Sequence, residues 1–92
     1  MKIVINARYG GFGLSEAQKT VFGEDANYSS LVRDPLRTNP ALIASVEAGD
    51  TGDEHSKLTV VEIPDGALYL ITGSEGYEQL IWSMSEIHTE HR

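Results

Sequence analysis

Three groups of residues have types and spacings that could do chemistry. The first is Arg8-Tyr9-Gly10-Gly11-Phe12-Gly13, a glycine-rich turn following the apolar run Ile3-Val4-Ile5 and preceding the helix start Ser15-Glu16-Ala17-Gln18. A turn between a strand and a helix N-terminus is the arrangement that binds phosphates in several nucleotide folds, and Arg8 is the nearby cation. The spacing is not that of the dinucleotide fingerprint, and no Lys-Ser or Lys-Thr follows as in a P-loop. The competing reading is a tight turn with Phe12 packed inside or shown to a partner. The second group is Asp50-Thr51-Gly52, the three-residue signature of aspartic proteases. That chemistry needs two carboxylates held close in a dry, rigid turn, whereas here the triplet lies in a polar loop with Asp53 and Glu54. The third is His88 and His91, i and i+3 and so on one face if the tail is helical, with Glu86 and Glu90 beside them and His55 as the remaining nitrogen donor. A solvated chain end is the simpler reading, and neither metal nor cofactor is expected.

Elements must position these groups, and the chain supplies signals for six. Ser15 can cap a helix through about Phe22, with Gly23 as its stop and Ala17, Val21 and Phe22 near one face. Residues 24–30 read as a surface loop, and Pro35 makes Arg33-Asp34-Pro35 a turn. Asn39-Pro40 opens a second helix, to about residue 48, with Leu42, Ile43 and Val46 as its apolar stripe. Lys57–Ile63 is a strand with Leu58 and Val60 on one face and Val61 and Ile63 on the other, the pattern of a central strand. Pro64-Asp65-Gly66 is a turn into Ala67–Thr72, most simply antiparallel to the strand before it. Residues 77–92 fit both a helical stripe (Tyr77, Leu80, Ile81, Met84, Ile87, His91) and an alternation of Leu80, Trp82 and Met84 with Ser83 and Ser85; the glycine turn before them favours a strand through about Met84. The expected fold is a single α+β domain spanning residues 1–92. Its mostly antiparallel sheet holds four strands (3–7, 58–63, 67–72 and 78–84), with two short helices on one face.

Composition narrows the function classes. Fourteen acidic side chains against seven basic ones leave a net charge of −7, which argues against sequence-independent nucleic-acid binding and suits a basic partner. No cysteine is present, so disulfides, thiolate metal sites and a cysteine nucleophile are excluded. No apolar run is long enough to span a bilayer and no signal peptide is read, so membrane association is not expected and a cytoplasmic location is. The single tryptophan, Trp82, is a core residue or an interface anchor, and with Tyr77 and Phe12 it could form an aromatic patch. Partner contacts are therefore expected at Asp50, Asp53, Glu54 and Trp82. Large apolar groups on a strand near the chain end also suggest an open sheet edge, and hence a homodimer.

The segments Lys2-Ile3-Val4-Ile5-Asn6 and Tyr9-Gly10-Gly11-Phe12-Gly13-Leu14-Ser15 resemble the opening of a family of small bacteriophage and prophage proteins. Asn39–Ile43 with Val46-Glu47, Leu58–Gly66 and Glu75–Glu78 are similar too, in matching order over more than half the chain, whereas residues 23–37 depart from it. The resemblance implies a phage context and carries no catalytic residue. It points to a small acidic, non-enzymatic protein that binds and modulates or inhibits a host protein in the host cytoplasm, in an anti-defence role among others. The alternative is sequestration of a small nucleotide or other phosphorylated ligand at Arg8–Gly13.

Overall fold

The computed structural model describes residues 1–23 and 30–84. Strand β1 (Lys2–Asn6) lies at its centre, with Ile3, Val4, Ile5 and Asn6 all buried. Side chains alternate across a strand, so β1 feeds two clusters. Val4 joins Phe12, Leu14, Leu36, Leu42, Val46 and Leu58 on the helical side. Ile3 and Ile5 join Ile63 and Ala67 on the other. Strand β2 (Leu58–Glu62) pairs antiparallel with β1, Val4 opposite Val60. Strands β3 (Leu68–Ser74) and β4 (Tyr77–Ser83) form an antiparallel hairpin, Ile71 opposite Leu80.

The α+β class and the four antiparallel strands stand as expected, with the strands divided between two two-stranded sheets. Strand β2 is therefore not central, and β3 does not pair with it. The two-sided apolar pattern of Leu58–Ile63 reports two packed faces, Leu58 and Val60 toward one cluster and Val61 and Ile63 toward the other. It does not report two neighbours in a sheet. The turn at Pro64–Gly66 carries the chain across to the hairpin layer, where Ile71 and Leu80 pack on Ile3, Ile5 and Ile63.

Three helices are described. Helix α1 (Glu16–Phe22) begins at Ser15 in a capping box: Gln18 N donates to Ser15 Oγ at 3.2 Å and Ser15 N to Gln18 Oε1 at 3.0 Å. Its inward residues are the buried Gln18 and the half-buried Phe22, which packs on the Val4 cluster as expected, while Ala17 and Val21 face water. The expected stripe is thus rotated, because Gln18 Nε2 donates to Ser45 Oγ and Asp50 O at 3.1 and 2.9 Å. Helix α2 (Ser30–Leu36) contains Pro35, where a turn is expected. Near a helix C-terminus the missing amide costs one bond, and burial of Leu36 and Arg37 immediately after it outweighs the local preference. Helix α3 (Pro40–Glu47) starts at the Asn39 cap, whose Oδ1 accepts from Ala41 N at 2.8 Å, and buries Leu42 and Val46. No helix among the described residues is long and apolar enough to cross a membrane.

Candidate functional site

The glycine-rich turn is a joint between three parts of the chain. Gly10 N donates to Glu75 O at 3.1 Å, and a β-carbon on Gly10 would lie 2.6 Å from His55 O. That approach and a φ of 123° require glycine there. Opposite it, Gly76 comes so close to Gly11 N that any side chain would collide. Gly76 and Glu75 have φ of 86° and 54°, the two-residue turn that suits a twisted hairpin, with Ser74 paired to Tyr77. Gly13 O accepts from Asp53 N at 3.2 Å and Ser56 Oγ at 2.8 Å. Arg8 Nη1 donates to Glu54 O at 3.2 Å, and Tyr9 stacks at a tilt on Tyr77, ring centres 5.1 Å apart. Two donors that a phosphate would use, Arg8 Nη1 and the Gly10 amide, thus hold the 53–56 loop and the hairpin tip.

Behind this joint lies a polar knot that no local pattern announces. Asn6 is completely buried. Its Nδ2 donates to Arg8 O and Gly76 O, each at 2.7 Å, and its Oδ1 accepts from Lys57 N at 2.8 Å. Its backbone amide donates to Glu78 Oε1 at 2.8 Å. Arg37 meets the same carboxylate in a fork, Nη1 to Oε1 at 2.8 Å and Nη2 to Oε2 at 2.7 Å, and Nη1 also donates to Val4 O at 3.1 Å. The guanidinium lies over the buried Phe12 ring, 4.9 Å from its centre. Burial opposes the Arg37 charge, but Glu78 and then Asp34 outweigh it and raise the pKa above the ordinary guanidinium value. This is the chemistry of a structural clamp fastening β4 to the outer edge of β1.

The acidic loop is only partly available to a partner. Asp50 Oδ2 accepts from Ser15 Oγ at 2.6 Å and its Oδ1 from Gly52 N at 3.3 Å. Asp53 Oδ1 accepts from His55 N at 2.9 Å. Glu54 projects into water beside His55. Asp50 is occupied as a brace for the α1 cap, and the described residues hold no group of three metal-ligating side chains. His88, His91, Glu86 and Glu90 lie outside the described residues.

Trp82 is half exposed, across from Tyr69 near the free end of the hairpin. It sits five residues from Tyr77, so about 17 Å of strand separates it from the tip that touches the glycine turn. Trp82 therefore does not join Asp50, Asp53 and Glu54, nor form a patch with the buried Phe12. On the opposite face of the hairpin, beside Ile81, lie Leu68 and Leu70, which the expected partner contacts did not include. Leu68, Leu70 and Ile81 alternate onto the outer face at 58%, 62% and 58% exposure. Leu68–Gly73 and Gln79–Ser83 contain no charge. The signal was present in Leu-Tyr-Leu-Ile and Leu-Ile-Trp, runs apolar on both faces, of which only one face is covered.

Comparison with family models, with curated proteins and with solved structures finds no match to this chain.

Proposed function

We propose that this chain is a non-enzymatic binding protein of phage type, which docks on a host protein through the β3–β4 hairpin and modulates or inhibits it. The observation that carries this reading is the uncharged hairpin with Leu68, Leu70 and Ile81 exposed on its outer face, and with Tyr69 and Trp82 half exposed on the other face at its free end. The three aliphatic side chains of the outer face leave apolar surface on the order of 300 Å², at the lower end of the roughly 300–600 Å² range in which a monomer's largest patch often serves interaction. Tyr and Trp are also the side chains that most often anchor interfaces. Phage context and a host-defence target come from the resemblance of the opening segment. Sequestration of a phosphorylated ligand at Arg8–Gly13 is the weaker reading, because Arg8 and the Gly10 amide already have partners.

The acidic loop suggests a partner held by charge, whereas the hairpin suggests one held by apolar contact. Salt separates the two, since exposed charges are screened over about 10 Å at 0.1 M ionic strength and apolar contacts are not weakened. The test is capture of host proteins on the immobilised chain, with Ile81→Lys and Glu54→Lys in parallel. A partner retained by wild type and Glu54→Lys, lost with Ile81→Lys and indifferent to salt supports the reading. Equal capture by Ile81→Lys, or release by modest salt, overturns it.

A further inference from the structure

The outer face of the hairpin does not end at its aliphatic residues. Outer positions recur at every second residue, so Thr72 opposite Gln79, and then Tyr77, continue the line of Leu68, Leu70 and Ile81 toward the tip. There a cleft of about 310 Å³ opens, lined by Tyr9, Thr72, Gly73, Tyr77 and Gln79. Tyr9 comes from the glycine-rich turn, and its ring meets that of Tyr77 at 49°, so the two form a bent aromatic wall. The contact covers only part of Tyr9, which stays 62% exposed, and neither ring belongs to the buried clusters around β1.

The chemistry of this lining selects its occupant. No charged side chain lines the cleft, two aromatic rings do, and Thr72 and Gln79 add a hydroxyl and an amide oxygen as acceptors. Aromatic faces attract cations, and the attraction grows when the cation leaves water. The charges around the cleft act in the same direction. Glu54 and Glu75 are exposed, and the one cation of the turn, Arg8, is drawn to Glu54 O on the 53–56 loop. An anion is disfavoured by these carboxylates and by the net charge of −7. Among cations, a guanidinium is matched best by a carboxylate fork, which the lining lacks. A quaternary ammonium has no N–H to give the hydroxyl and the amide oxygen. A primary ammonium has three, on a flexible stem that can lie along aromatic surface.

We infer that this cleft receives a lysine side chain of the protein segment that covers the hairpin, with its ammonium against Tyr9 and Tyr77. The lysine then lies in line with the apolar contacts at Leu70 and Ile81, one outer pair further along the strands. The inference rests on the docking reading for the segment that carries the lysine, and it adds one basic residue to the apolar partner. Partly enclosed, that charge is screened by salt much less than a surface pair, so it fits an interface that modest salt does not release.

The test is an NMR titration of the isotopically labelled full chain with Ac-Lys-Ser-Leu-Ser-Leu-NH2 and three counterparts, which carry norleucine, arginine or trimethyllysine in place of the lysine. The lysine peptide should shift the amides of Tyr9, Thr72, Gly73 and Gln79. It should bind about fivefold more tightly than the norleucine peptide, the effect of one partly exposed cation on aromatic rings. Tyr9→Leu should erase that preference and Tyr9→Phe should keep it. Neither variant alters the net charge, so the pair separates this cleft from general attraction to an acidic protein. Equal affinities of the lysine and norleucine peptides overturn the inference, as do a preference that survives Tyr9→Leu, tighter binding of the arginine or trimethyllysine peptide, or unmoved cleft amides at millimolar peptide. Equal affinities with the Leu70 and Ile81 amides shifted sink the lysine cleft and leave the docking reading standing. A lysine preference with the Leu70 and Ile81 amides unmoved does the reverse, so the two failures are told apart.

Discussion

At the scale of single residues, the polar groups inside this protein are connectors. Asn6 closes an apolar strand and uses both ends of its amide to fasten the loop before β2 and the tip of the hairpin. The glycine turn was readable from its letters, since three glycines in four positions demand close backbone approach. What it approaches was not readable, because Glu75 and His55 lie 65 and 45 residues further along the chain. The ligand-binding reading and the structural reading of Gly10 make opposite predictions. Its positive φ and the 2.6 Å approach to His55 O imply that Gly10→Ala lowers stability by about 1 kcal/mol or more. Thermal melting measures this. A wild-type melting temperature in Gly10→Ala, with partner or ligand binding lost, would return the turn to the role of a site.

At the scale of elements, signals carried within a few residues were legible and those carried by layers were not. The Asn39-Pro40 start, the Ser15 cap and the turn at Glu75-Gly76 are each decided by neighbours in sequence, and each is found where expected. The pairing of β2 with β1, and of β3 with β4, depends on which layer each strand joins, and local pattern carries no information on that. Helix α2 persists through Pro35 because Leu36 and Arg37 must be buried. The Arg37–Glu78 fork then ties the end of that helix to β4 across 41 residues of sequence. Truncating one member of a buried pair leaves the other charge uncompensated, at about 3–5 kcal/mol. Glu78→Ala should therefore fall near that range in urea unfolding, and lose less if water reaches Arg37, since Glu78 retains 14% exposure. The pH dependence follows from the raised Arg37 pKa: its contribution is fully present below the ordinary guanidinium value and lost only as pH rises through the higher folded one. No loss of stability from Arg37 deprotonation is thus expected across the neutral and mildly alkaline range, which unfolding at pH 7 and pH 10 would check.

At the scale of the whole molecule, charge and apolar surface are segregated. Net charge is −7, yet both strands of the hairpin beyond its tip and Glu78 are uncharged. Two copies approaching through this region would keep their acidic groups away from the contact, so overall repulsion need not prevent association. The outer face of Leu68, Leu70 and Ile81 would bury roughly 600 Å² over the two copies, below the roughly 1,000 Å² of a stable specific interface, so self-association through it is weak. A two-fold arrangement brings each hairpin against its own copy. In the absence of another partner, the surface proposed to dock a host protein is expected to hold a second copy weakly, and the two should compete. Light scattering from low to high micromolar concentration should show the mass rising from monomer toward dimer. Leu70→Lys should shift the curve toward monomer, because it places a charge on each side of the contact, whereas Trp82→Ala, on the opposite face, should shift it little. The helical content of both variants, read by circular dichroism, should match wild type, since neither side chain belongs to the buried clusters around β1. A monomer mass throughout, with the hairpin residues still exposed, would rule out self-association and leave a partner of another kind as the group that covers this face.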